Sequence, residues 1–236
     1  MDSLEGDDMC GFPDHPSLVL ARSFLTSHFK GKPNTKTTAM PWANHWAFFV
    51  LHSLRVENYA VALLSAPEYG QDDENSLLVR LSAILHDLGR IGPNHGHALY
   101  SAEIVSSWLE GEGSVIGLSI SQTERLLHLI RRHSSKGEPD GDPLVGLLQD
   151  ADQLDEIGAM SILMNARWTD ADTPYYYERL AERLDGREKD YGQKVLQMMH
   201  TDIARSLLRQ KLDFIDQFAQ QLRNELAAPI SWTGDI

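Results

Sequence analysis

No stretch of this chain alternates apolar and polar residues. Wherever glycine and proline leave it uninterrupted, apolar side chains recur at three- and four-residue spacing. That pattern builds helices and leaves nothing to pair into a sheet, so an all-α fold is expected. Spacing and breakers predict a first helix near Pro16 to Phe29 and, beyond the loop GKPNTKTTAMP, a second from about Trp42 to Leu64. A third is expected from Glu74 to Leu88, closed by Gly89 as a left-handed cap, and a fourth from about Ala98 to Leu109. Ser121 should cap the fifth, with Glu124 completing a capping box, and that helix should run to about His133. After the breaker-rich loop SSKGEPDGDP, a sixth is expected from Leu144 into Asn165, then a short one near Tyr175 to Leu184 and a long one from about Lys189 to Leu226. No linker with a shift in composition divides the chain. A single helical domain over residues 1–236 is therefore expected, with its core at about 45–166 and additional C-terminal helices at about 173–226 packed on it.

Charge narrows the range of partners. Lys and Arg total 21 against 34 Asp and Glu, a net charge of −13, and so acidic a surface repels phosphate backbones. Duplex nucleic acid is not an expected partner. The longest uncharged apolar run, near Trp46 to Leu51, falls far short of the roughly 20 residues that span a bilayer, so no membrane is expected either. The first residues, MDSLEGDDMC, are acidic where a secretory or organellar signal is basic. Cys10 is the only cysteine, which excludes an intramolecular disulfide and a cysteine-rich zinc module. The expectation is a cytoplasmic protein.

Of its 10 histidines, seven fall between His45 and His133: His45, His52, His86, His95, His97, His128 and His133. Asp87, Asp150, Asp152 and Asp155 lie among or just beyond them. Imidazole and carboxylate without thiolate suit a divalent Mn, Mg, Fe, Co, Ni or Zn ion. In LSAILHDLGR, His86 and Asp87 are adjacent, and adjacent helical side chains point about 100° apart, so both reach one ion only at a helix end. His52 and Arg55 share one helix face. Asp152 and Asp155 share another, and Asp152 sits among Leu147, Leu148, Leu154 and Ile157, where an uncompensated carboxylate is expensive. Asp150 and Glu156 read as a solvated edge, His45 as a core or surface residue, and His128 as pointing away from His133. His95 is expected in a loop, either exposed or touching substrate. Tyr175, Tyr176 and Tyr177 read as core packing or a pocket wall. The stripe Leu207, Leu208, Leu212, Ile215 and Phe218 can dock on the same chain or on a second copy.

His52, then His86-Asp87, then Asp152, in that order on successive helices, resembles the H…HD…D signature of the HD-domain superfamily of metal-dependent phosphohydrolases. The runs HSLRV, LLHDLGR, HGHALYSAEIV, LIRRHS and QDADQLDEIGA, with the late segment MHTDIARSLLRQKLDFIDQFAQQL, resemble its bacterial stand-alone branch over roughly residues 45 to 226. The resemblance implies an HD-domain helical bundle in which His52, His86, Asp87 and Asp152 ligate one divalent metal. His97 and His133 match positions that help to hold a second ion in two-metal members. Binuclear cyclic-dinucleotide phosphodiesterases carry paired histidines at the later position, where this chain has His133 followed by Ser134.

A metal-activated water attacking a phosphoryl group needs a carboxylate to orient it and cations to receive the phosphate. Asp87 with His86 fits the first task. Arg55, Arg90, Arg131 or Lys136, with His97, His133 and Asp155 nearby, are candidates for substrate or second-metal contact. The resemblance implies a small phosphorylated substrate, a nucleoside monophosphate or triphosphate foremost. Its alternatives are an HD-type di-iron oxygenase and a non-catalytic nucleotide-binding sensor.

Overall fold

The computed structural model describes residues 15–32, 45–66, 69, 72–92 and 96–227. They divide into two compact units, Met1–Asp155 and Glu156–Ile236. All regular structure among the described residues is helical. Cys10 and His95 lie outside them.

In the first unit, α1 (Pro16–Phe29) starts with proline at its first position, where no backbone donor is needed, and buries Leu18, Ala21, Leu25 and Phe29. α2 spans Ala47–Leu64 and α3 spans Asp73–Leu85, capped by Asp72, whose carboxylate accepts from the Glu74 and Asn75 backbone N–H groups. From Leu78 to Leu85 every residue of α3 is buried, against α1, α2 and α5. Each fully buried leucine or isoleucine there stabilises the fold by about 2 kcal/mol. α4 (His97–Glu110), α5 (Ile120–Arg132) and α6 (Pro143–Glu156) complete the unit. By length and a mean hydropathy of 1.2, α2 could cross a bilayer. Half of it is buried, however, and its Glu57 bridges Arg22 at 2.7 Å and Arg80 at 3.0 Å, so it is a core helix of this unit.

Several expected boundaries move, each for a local reason. α3 ends at Leu85, before Gly89. That glycine takes no left-handed backbone but lies in a 3-10 turn, Leu88–Ile91. Gly89 is there for space. A Cβ would stand 2.9 Å from the Ser101 backbone nitrogen and closer still to the His97 carbonyl. α5 begins two residues early because Ser119, not Ser121, is its cap, with Gln122 in place of Glu124 as its reciprocal partner. The expected sixth helix breaks at Gly158, whose φ of 114° no helix accommodates. The last is two, α9 and α10, because the Thr201 hydroxyl caps a new start by accepting from the Ala204 N–H. The described part of the second helix begins at Ala47, and residues 42–44 lie outside the described set.

The second unit contains α7 (Ala159–Trp168), α8 (Tyr176–Arg183), a wide turn over Leu184–Glu188, α9 (Lys189–Met198) and α10 (Asp202–Leu226). α10 packs on α7, α8 and α9 along Ala204, Leu208, Leu212, Ile215 and Ala219, so its apolar stripe is used within its own unit. Phe218 stays partly exposed. Tyr175 and Tyr177 are exposed, contrary to the expected core packing, and the Tyr176 hydroxyl donates to the Ala166 carbonyl at 2.7 Å.

Gly89→Ala should destabilise the protein by roughly 1–3 kcal/mol, the usual cost of overpacking, because backbone cannot yield as a side chain can. The midpoint of urea unfolding measures this. An unshifted midpoint would mean that the turn relaxes freely.

Candidate metal centre

Four helix ends and one helix face converge in the first unit. His52 comes from the middle of α2, His86 and Asp87 from the residues just past α3, and His97 from the first residue of α4. His133 caps α5, and Asp152 and Asp155 project from α6. Leaving the helix at His86 and Asp87 lets neighbouring side chains aim at the same point. His52 Nε2 lies 3.3 Å from Asp152 Oδ1 and 3.6 Å from Asp87 Oδ2, and His86 Nε2 lies 3.7 Å from both. On the other side of Asp87, Oδ1 is 3.4 Å from His97 Nε2 and 3.5 Å from His133 Nε2.

The far nitrogen of each key ring is fixed by a second group. His86 Nδ1 donates to the Ala83 carbonyl at 2.8 Å, and His133 Nδ1 to the Ile130 carbonyl at 2.7 Å. Carbonyls only accept, so the neutral rings must present Nε2 lone pairs to the cluster. His52 Nδ1 donates to Asp155 Oδ2 at 2.8 Å, and Arg55 clamps that carboxylate through two bonds of 2.7 and 2.9 Å. This is how metal-binding histidines are commonly oriented. His86 Nε2, Asp87 Oδ1 and Asp152 Oδ1 are buried without a hydrogen-bond partner. Such atoms are costly unless something binds them; a divalent cation would satisfy His86 Nε2 and Asp152 Oδ1 together, while Asp87 Oδ1 opens toward His97 and His133. Two overlapping groups could hold an ion: His52, His86 and Asp152, and His86, Asp87 and His133.

The ionisation states suit ligands. Burial would raise Asp87, but the neighbouring His86 and His133 and the Arg90 charge outweigh it and hold the carboxyl well below its usual range. Burial is likewise outweighed at Asp152, chiefly by Lys136 and His52. Burial pushes His86 down to about 4, so it stays neutral. His52 goes the other way. Its burial is overcome by the carboxylates of Asp152, 3.3 Å away, and Asp155, which lift it to about 10. With side chains alone, the proton on His52 answers the carboxylates' demand for positive charge, and a cation at Nε2 would take that place.

The structure brings together His52, His86, Asp87, Asp152, His97 and His133. Arg90 reaches Asp87 Oδ2 at 2.9 Å. Arg55 and Asp155 stand behind His52, not in the cluster. His128 pairs with Asp140 at 3.0 Å, away from the cluster, and His45 is exposed at the start of α2, where it accepts from the Ala47 N–H. Asp150 is fully buried and not the solvated edge expected, whereas Glu156 is exposed. Sequence reasoning did not single out Gln149, whose amide ties the chain after α5 to α6 through the Arg132 and Ser135 carbonyls. Its position one turn before Asp152 on a buried helix was the available signal.

Residues 49–157 match the HD domain family model. That segment is similar to HD domains. The chain is 28% identical over 178 residues to the uncharacterised protein YpgQ of Bacillus subtilis, covering 70% of this chain and 80% of YpgQ. A predicted HD superfamily hydrolase from an uncultured Thermotogales bacterium shares the fold, with a TM-score of 0.60 at 23% identity over 90% of this chain and 94% of that one. The structure of YpgQ in complex with ADP aligns with a TM-score of 0.54 at 22% identity, over 89% of this chain and 98% of that one.

Because Asp155 orients His52 without facing the cluster, Asp155→Asn should weaken manganese binding by about 10- to 100-fold, the usual penalty for losing such a partner. Titration calorimetry on the full chain measures it. Unchanged affinity would make the Asp155 contact incidental.

Proposed function

We propose that this protein is a metal-dependent phosphohydrolase that acts on a small phosphorylated metabolite, a nucleotide foremost. The observation that carries the reading is that His86 Nε2 and Asp152 Oδ1, buried and without partners, meet His52 Nε2 and Asp87 Oδ2 at 3.3 to 3.7 Å. His52, His86, Asp87 and Asp152 are the proposed ligands of a divalent ion. YpgQ, a relative, has been solved in complex with ADP, which supports a nucleotide as the ligand class.

When bound, the ion lowers the pKa of a water and neutralises phosphoryl charge. Asp87 does the orienting. Its Oδ2 is held by Arg90, so its unpaired Oδ1 can accept a hydrogen bond from the attacking water and fix its line of approach. The water oxygen bonds to phosphorus as the phosphorus–oxygen bond to the leaving group breaks, and the proton that the water loses passes to the departing oxygen. His97, half-buried beside His133 at 3.1 Å, is the histidine accessible enough to meet the phosphate, together with Arg90. Arg55 is committed to Asp155 through two hydrogen bonds and serves the site through His52.

The second group, His86, Asp87 and His133, shares the one His86 Nε2 lone pair with the first, so a second ion would rest on Asp87 Oδ1, His97 and His133, which lie within 3.5 Å of one another. This favours one rival, an HD-type di-iron oxygenase, which predicts two irons per chain and oxygen consumption.

A panel of nucleoside mono-, di- and triphosphates and generic phosphoesters, assayed with manganese, tests the reading. Phosphate or pyrophosphate should be released, and Asp87→Ala should abolish that release while leaving far-UV circular dichroism unchanged. Silence across the panel with metal bound overturns the hydrolase, and oxygen uptake by the iron-loaded protein would install the rival. Arg90→Ala should raise KM severalfold more than it lowers kcat if Arg90 binds phosphate in ground and transition states alike.

A further inference from the structure

The loop between α5 and α6 places one more cation at the ion-binding cluster. Lys136 lies three residues after His133, and Gly137, with φ of 74°, turns the chain directly behind it. The loop is fastened on both sides. The Gln149 amide donates to the Arg132 carbonyl at 2.7 Å and to the Ser135 carbonyl at 3.0 Å. Farther along, Arg132 holds Asp140 at 3.0 Å, and Arg125 holds Asp142 through two bonds. Lys136 is thus delivered to the cluster by an ordered turn.

Its ammonium donates to Asp152 Oδ2 and, at 3.4 Å, to the Gln149 carbonyl. That pairing uses the oxygen of Asp152 that does not face the histidines. Oδ1, the orphan atom 3.3 Å from His52 Nε2, is left bare. An ammonium carries three donors, and only two have acceptors among the described residues. The side chain is 22% exposed, so the third donor is within reach of a ligand, whereas Asp152 itself is 3% exposed. The layout parallels that of Arg90 on Asp87, where a cation again sits on a cluster carboxylate at 2.9 Å.

We propose that Lys136 is a phosphate-anchoring residue of this site, an inference that rests on the hydrolase reading above. A phosphoryl oxygen bound to an ion at Asp152 Oδ1 lies one carboxylate away from the ammonium, close enough to accept its third N–H. Lys136 would thereby neutralise that phosphoryl oxygen as a compact point charge, and it stays on Asp152 while doing so.

The test uses the full chain loaded with manganese and two variants, Lys136→Met and Lys136→Arg. Calorimetry reads manganese affinity first, then the affinity of the manganese-loaded protein for inorganic phosphate. Lys136→Met should bind manganese within about threefold of the unsubstituted protein but phosphate at least about tenfold more weakly, and Lys136→Arg should recover most of the phosphate affinity. Equal phosphate affinity in Lys136→Met overturns the proposal. Loss of manganese and phosphate together also overturns it, because Lys136 would then only hold Asp152 in place. The two readings fail separately. Turnover on the phosphoester panel that Lys136→Met leaves intact removes Lys136 and keeps the hydrolase. Manganese-dependent phosphate binding that needs Lys136, with no turnover of any phosphoester, removes the hydrolase and keeps Lys136.

Discussion

Two carboxylates, Asp87 and Asp152, are buried so that an oxygen of each meets no hydrogen-bond donor. Removing an anion from water costs several kcal/mol even after the protein relaxes, and that cost is tolerated only where cations and donors surround the charge. The first unit supplies them. Arg90 sits on Asp87, Lys136 on Asp152, and four imidazoles stand around the pair. What remains unmet is an attraction for positive charge at one point, and the lift of His52 to about 10 is its signature.

The same side chains separate an outer from an inner face. On the outer face every orienting contact is made: Ala83 on His86, Ile130 on His133, and Asp155 with Arg55 on His52. On the inner face, lone pairs and carboxylate oxygens are left bare. A site arranged in advance spends little energy reorganising when an ion or a developing charge arrives. Substitutions on the two faces therefore differ in kind. Losing an outer partner loosens the cluster, whereas losing an inner atom removes a ligand.

Packing supplies the distances. Gly89 and the small Ser101 let the turn after α3 approach the start of α4, and the Ser101 hydroxyl joins them by accepting from the Gly89 N–H and donating to the His97 carbonyl, each at 2.8 Å. That contact sets His97 beside Asp87. The Gln149 clamp does the same for the segment that carries His133 and Lys136. Residues outside the cluster thus help to set its width.

By itself, the sequence determined the helical class, because three- and four-residue apolar spacing cannot form a half-buried sheet. It also determined the order of the cluster residues, since His52, His86-Asp87 and Asp152 are chemically conspicuous on apolar stretches. Capping was legible only approximately. Ser119 and Ser121 are both competent caps, and the choice between them depends on which register buries Leu126, Leu127, Leu129 and Ile130. Breaks at Gly158 and Thr201 were hidden because the apolar period continues through them. Tertiary structure alone decided which face of each ligand is used. Arg55 and Asp155 share helix faces with His52 and Asp152 in the sequence, yet they meet behind the ring of His52, and Asp150 is buried where spacing suggested solvent. Periodicity assigns a side chain to a face of its own helix. What that face meets is set by where four other helices end.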